Sequence, residues 1–106
     1  MLLLNAFSLN MLDLSVAHTF KCDPISVSEV SVLLRAGVLE SAVGHATTAT
    51  VLSSILESSV PCNRVSVKLS SGDSCVVAQF VGPRLPEGAT TLPVGAKIEF
   101  VLVSMT

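Results

Sequence analysis

The apolar and polar positions along the chain divide it into short strands and two amphipathic helices. Leu2 to Phe7 begins as an unbroken apolar run, which predicts a short strand covered on both faces. Ser8 then stands where it can N-cap a brief helical turn through Leu9, Met11 and Leu12, leaving backbone N–H groups for a ligand. Val16 to Lys21 reads as a second strand, and Pro24 ends extension. Ser26-Val27-Ser28-Glu29 fits a capping box, after which Val27, Val30, Leu33 and Leu34 recur at helical spacing until Gly37 supplies a left-handed stop. Val38 to Val43 reads as a short extended piece. Beyond Gly44-His45-Ala46-Thr47-Thr48, the residues Val51, Leu52, Ile55 and Leu56 form the inner stripe of a second helix, with Ser53, Ser54 and Glu57 outside. His45 therefore falls just before a helix N-terminus.

Asn63 to Val81 predicts a hairpin, because Val65, Val67 and Leu69 alternate with Arg64, Ser66 and Lys68 and Ser71-Gly72 suits the turn. A turn centred there sets Arg64 opposite Gln79 on one face, while Val65 and Val67 meet Ala78 and Val76 on the other. Gly82-Pro83 breaks the strand and releases Arg84 to Gly88 as a loop. Lys97 to Val103 is a last, mostly buried strand. The sum is an α/β domain built on a central mixed sheet of about five strands flanked by helices, with no repeat or linker inside residues 1–106.

Composition narrows the function. A chain of 106 residues makes one small domain, too small for a deep cleft around a large ligand, so a site shared between two copies is plausible. Six Lys/Arg against eight Asp/Glu, no basic run and four aromatics, all Phe, argue against a protein that tracks duplex or single-stranded nucleic acid. A small anion met by two or three arginines stays open. Cys22, Cys62 and Cys75 are odd in number and lack CxxC spacing, which indicates neither a disulfide framework nor a zinc site but small buried hydrophobes in a reducing cytoplasm. The apolar start has no basic flank and is broken by Asn5, Ser8, Asn10 and Asp13, so neither a signal peptide nor a membrane span is expected.

In so charge-poor a chain, four polar motifs stand out where apolar segments end. Asn5, Ser8 and Asn10 surround a strand-to-turn junction, where Asn and Ser serve as local caps or contribute to an anion or ribose site. His45 is either a half-buried histidine bonded to a carbonyl or a proton donor to an alkoxide leaving group beside the positive end of a helix. His18 has no such setting and reads as structural or exposed. Arg64 and Arg84 are surface ion-pair partners or planar, bidentate phosphate ligands, and Glu87 is placed to orient Arg84 or to accept from a ribose hydroxyl.

Taken in order, Asn5 to Leu12, Gly44-His45, Asn63-Arg64-Val65, Gln79 and Arg84-Leu85-Pro86-Glu87-Gly88 resemble the viral and mobile-element family of anti-CRISPR ring nucleases, whose members degrade cyclic tetra-adenylate. The resemblance spans nearly the whole chain. It implies an α/β fold, a two-fold homodimer and a substrate held across the dimer interface, with no cofactor or metal. It also implies His45 as general acid, Arg84 as a phosphate contact in the transition state, and Asn5, Ser8, Asn10, Arg64, Gln79 and Glu87 as substrate-pocket residues. The activity so implied is metal-independent opening of cyclic oligoadenylate to linear products ending in 2′,3′-cyclic phosphate, in the cytoplasm of a bacterial, archaeal or virus-infected cell. A non-catalytic sponge for the same messenger and a regulatory dimer without nucleotide are the rival readings. Two departures are visible: Ala46 replaces the Asp usual after the histidine, and the segment Ala89 to Ala96 is shorter and carries Pro93, so a helix before the last strand is lost.

Overall fold

A computed structural model describes residues 1–106. The elements run β1 (Leu2–Leu4), a single 3-10 turn (Leu9–Met11), β2 (Phe20–Pro24), α1 (Val27–Arg35), β3 (Glu40–Ser41), α2 (Ala46–Leu56), β4 (Ser74–Val81) and β5 (Lys97–Met105). The strands make one mixed sheet in the order β2-β5-β4-β1-β3. β1 is parallel to both its neighbours, with Leu2 beside Glu40 on one side and Cys75 on the other. β4 and β5 are antiparallel from Ser74–Ser104 to Val81–Lys97, and β2 closes the far edge antiparallel to β5. This is the α/β, single-domain architecture with a five-stranded mixed sheet that the hydrophobic pattern predicts.

The period-2 alternation splits the core in two. Leu3, Val76, Ala78 and Phe100 face one way and pack with Val30 of α1 and Ala49, Leu52 and Leu56 of α2. Leu4, Cys75, Val77, Val103 and Met105 face the other way, where no helix lies; Leu12 and Leu69 cover them, with Phe7, Met11 and Val67 alongside. Both helices thus sit on one face of the sheet. α1 begins with the predicted capping box: the Glu29 amide donates to Ser26 Oγ at 3.1 Å, and the Ser26 amide donates to Glu29 Oε1 at 3.5 Å. It ends at Gly37, whose φ of +75° suits a residue without a side chain. A hydroxyl relay joins the helices, with Arg35 Nη2 donating to Ser31 Oγ at 2.8 Å and Ser31 Oγ donating to the Leu56 carbonyl at 2.7 Å.

Three expectations are corrected. The hairpin over residues 63–81 does not form, because β4 lies between β1 and β5 and both its edges are already bonded. Residues 63–69 run instead across the chain: the Asn63 amide donates to the Val43 carbonyl, the Leu69 amide donates to the Met11 carbonyl, and Leu69 is buried. Arg64 is consequently not opposite Gln79. The second strand begins at Phe20 rather than Val16, since residues 13–18 fold back on themselves. There Asp13 Oδ1 accepts from the Ser15 amide and hydroxyl, and His18 Nε2 donates to the Asp13 carbonyl at 2.6 Å, with the imidazole stacked on Phe20. Of the cysteines only Cys75 is buried; Cys22 lies exposed on the edge strand β2, and Cys62 is also exposed. The connection from β4 to β5 contains turns and no helix, as its length and Pro93 predict.

Candidate functional site

Five of the sequence-predicted residues, Asn5, His45, Arg64, Arg84 and Glu87, gather at one end of the sheet. β1 stops at Leu4, and the side chain of Asn5 turns to accept a hydrogen bond from the Gly44 amide at 3.3 Å, joining the end of β1 to the entry of α2. Gly44 lies against the stem of Arg64, whose Cγ is 3.6 Å from where a glycine Cβ would stand. That is ordinary contact, so Arg64 is seated beside the turn without demanding glycine there. His45 is the N-cap of α2, extended at φ −128° and ψ 122°, exposed, and making no capping hydrogen bond of its own. The first amides of α2 are therefore uncapped by any side chain and carry the partial positive charge of the helix end.

Across from this helix end stands the loop that follows β4. Asn5, His45, Thr48, Phe80, Arg84 and Leu85 line a cleft of about 260 Å³. Past His45 and Arg84 it opens into a second depression of about 670 Å³, bordered also by Ala46, Thr47, Pro86 and Glu87. The ion pairs of the molecule are Lys21–Asp23 at 3.7 Å and Lys97–Glu99 at 2.9 Å, and neither involves an arginine. Arg64 and Arg84 are both exposed and unpaired in a chain whose net charge is −2. Glu87 is the acid of this region and is not within ion-pair distance of Arg84. An uncapped helix end, the free guanidinium of Arg84 and the His45 imidazole, with Arg64 packed against neighbouring Gly44, are groups of the kind that can hold a small anion and pass it a proton.

The other predicted residues lie apart. Ser8 accepts from the Asn10 amide at 3.3 Å and caps the turn Leu9–Met11, while the Asn10 carbonyl accepts from Lys68 Nζ at 2.8 Å. Neither lines the cleft. Gln79 pairs with Glu99 across the ladder, donates to the Phe80 carbonyl at 3.1 Å, and by strand alternation faces away from the side that Phe80 presents to the cleft. Leu85, within the arginine-loop motif, borders the site, as do Thr47, Thr48 and Phe80, to which the sequence assigned no role. The two threonines were legible as the first turn after Gly44-His45, whereas Phe80 needed the register of β4. No three His, Cys, Asp or Glu side chains come together anywhere in the molecule. The two displaced titrations are both outside the cleft: hydrogen bonds from the Ser15 hydroxyl and amide hold the exposed Asp13 carboxyl below its ordinary range, and burial pushes the Cys75 thiol up.

No curated protein matches this chain. Twelve solved chains do. One of them, B116 of Sulfolobus turreted icosahedral virus, is 27% identical, superposes with a TM-score of 0.74 and is matched over 97% of each chain. The family model described as STIV B116-like matches residues 1–94. That match takes in β1, both helices, β4 and the whole arginine loop, and the chain therefore belongs to the STIV B116-like family, which takes its name from a viral protein.

Proposed function

We propose that this protein is a metal-independent ring nuclease that opens cyclic oligoadenylate, cyclic tetra-adenylate foremost, and thereby switches off type III CRISPR signalling. The observation that carries the reading is the convergence of His45, Arg84 and the uncapped start of α2 on one cleft, with Arg64 packed against Gly44, the residue before His45, and both arginines free of ion pairs. The family motifs across the chain add support. In the reaction the ribose 2′-hydroxyl gives up its proton to solvent water and attacks its own neighbouring phosphorus, the 2′ oxygen–phosphorus bond forms and the bond from phosphorus to the 5′ oxygen breaks. The arginines and helix amides take up charge on the phosphoryl oxygens, and His45 delivers the proton that the departing 5′ oxygen needs. No protein nucleophile is required. The product is a linear oligoadenylate ending in 2′,3′-cyclic phosphate.

Size favours a homodimer. A drug-sized ligand fills roughly 300–1,000 Å³, and a ring of four nucleotides, larger than such a ligand, exceeds the cleft of about 260 Å³ even with the depression of about 670 Å³ beside it. One copy offers the surroundings of a single phosphodiester; two copies about a two-fold axis offer two, matching the symmetry of the ring. Ser8, Asn10 and Gln79, outside the cleft of one chain, are then available to a ligand that spans two.

A second reading, a sponge that holds the messenger uncut, draws on one observation: His45 has no capping hydrogen bond to orient its ring. Incubation with cyclic tri-, tetra- and hexa-adenylate in EDTA, followed by product analysis, separates the readings. Cyclic-phosphate-ended products in EDTA are expected. Tight binding without cleavage would establish the sponge, and cleavage only on addition of a divalent ion would overturn the mechanism.

A further inference from the structure

Three polar side chains are buried in this protein, Ser31, Ser41 and Thr47. Each ties two segments together. Ser31 donates to the Leu56 carbonyl and Ser41 to the Pro61 carbonyl at 2.6 Å. Thr47 Oγ1 accepts from the Gly88 amide at 3.4 Å. This last bond has a particular place in the fold. Residues 83–96 form neither helix nor strand, and their internal backbone bonds are two, the Ala89 amide to the Pro86 carbonyl and the Ala96 amide to the Pro93 carbonyl. The bond to Thr47 is the single hydrogen bond from this segment to the rest of the molecule. At its base the segment is pinned sterically, since Gly82 lies so close to Ala96 that a Cβ there would stand 2.8 Å from the Ala96 Cα and the Gly95 carbonyl oxygen. Arg84 and Glu87 lie between these two anchors.

We infer that Thr47 is a positioning residue: its hydroxyl holds the 84–88 loop against the first turn of α2 and so fixes where Arg84 and Glu87 stand relative to His45. Its catalytic consequence rests on the proposed function; the holding of the loop does not. The first step is amide hydrogen exchange on the unliganded protein. The Gly88 amide is on an exposed residue, so Thr47→Val releases it to water with no buried group orphaned, and Thr47→Ala replaces that variant if valine does not pack. Exchange at Gly88 should quicken roughly three- to tenfold, the equivalent of one neutral hydrogen bond, with the amides of α2, β4 and β5 unchanged and with Thr47→Ser restoring the parent rate. Unchanged exchange at Gly88, or no restoration by serine, overturns the inference.

The second step is turnover of cyclic tetra-adenylate. Thr47→Val should lower kcat/KM about three- to tenfold in the parent and have no further effect in an Arg84→Ala background, because the hydroxyl acts through that arginine. Full additivity with Arg84→Ala would overturn it. If the parent neither binds nor cleaves cyclic tetra-adenylate, the proposed function fails, and the exchange result alone still decides the role of Thr47.

Discussion

His45 tests the mechanism more sharply than any other residue, since it is exposed, makes no capping bond and belongs to neither hydrophobic cluster. His45→Ala should slow cleavage of cyclic tetra-adenylate roughly 10²–10⁴-fold, the usual worth of a general acid, with ligand affinity and melting temperature nearly unchanged. Single-turnover rates beside equilibrium binding will check it, with His18→Ala as a control that keeps normal rates. The arginines divide differently. Arg64→Ala and Arg84→Ala should each weaken binding and cleavage by about 1.5–3 kcal/mol, because a charged hydrogen bond to phosphate acts in the ground and transition states alike. Arg35→Ala should leave cleavage intact yet lower stability, for its guanidinium is engaged with Ser31 in the relay between the helices. Measuring kcat/KM and melting temperature for all three separates the two kinds of arginine; activity lost only with Arg35 would mean the cleft has been misassigned.

At the scale of elements, the site is a meeting of three segment ends: β1 at Asn5, α2 at His45, and the loop leaving β4. The loop is the least secured of these. Gly82 at its base has a φ of +123° and backbone atoms of Gly95 and Ala96 where a side chain would go, and neither neighbour is a flexible side chain that can move aside. Gly82→Ala should therefore cost about 1–3 kcal/mol of stability from strain and overpacking. Loop and arginine move together, so kcat/KM should fall in the same variant. A melting temperature equal to the parent's would show that the neck yields without cost.

For the whole molecule, two properties are open to direct measurement. Light scattering coupled to size exclusion should give twice the mass of one chain, and mixing the impaired His45→Ala and Arg84→Ala proteins should report, by any activity above the sum of the two alone, whether one site draws on both copies. The pH dependence of folding follows from Cys75. Burial raises its thiol pKa in the folded protein, so its contribution is fully present below the unfolded value of roughly 8.5 and is lost as pH rises toward the folded value. Denaturant midpoints should thus decline above about pH 9, and Cys75→Ala should flatten that decline even though it lowers stability throughout.

Local rules govern the parts of this protein that the sequence determined by itself. The capping box at Ser26, the stop at Gly37, the turn capped by Ser8 and the position of His45 at a helix entrance depend on residues within a few positions of one another. So does the break at Gly82-Pro83. The α/β class also follows, because the alternation of apolar residues in β4 and β5 and the stripes of the two helices fix which faces must be covered. What only the tertiary structure decided is partnership. Residues 63–69 alternate as a strand does, but an alternating segment forms one only where a sheet edge is free, and β1 had taken that edge of β4. The same choice carried Arg64 from the face of Gln79 to the flank of Gly44 and set Phe80 rather than Gln79 toward the cleft. Thr47 acquired its partner, Gly88, from 41 residues away. Short-range signals are written in neighbouring residues, whereas a pairing between distant segments is settled by competition among all of them for the same edges and the same buried space.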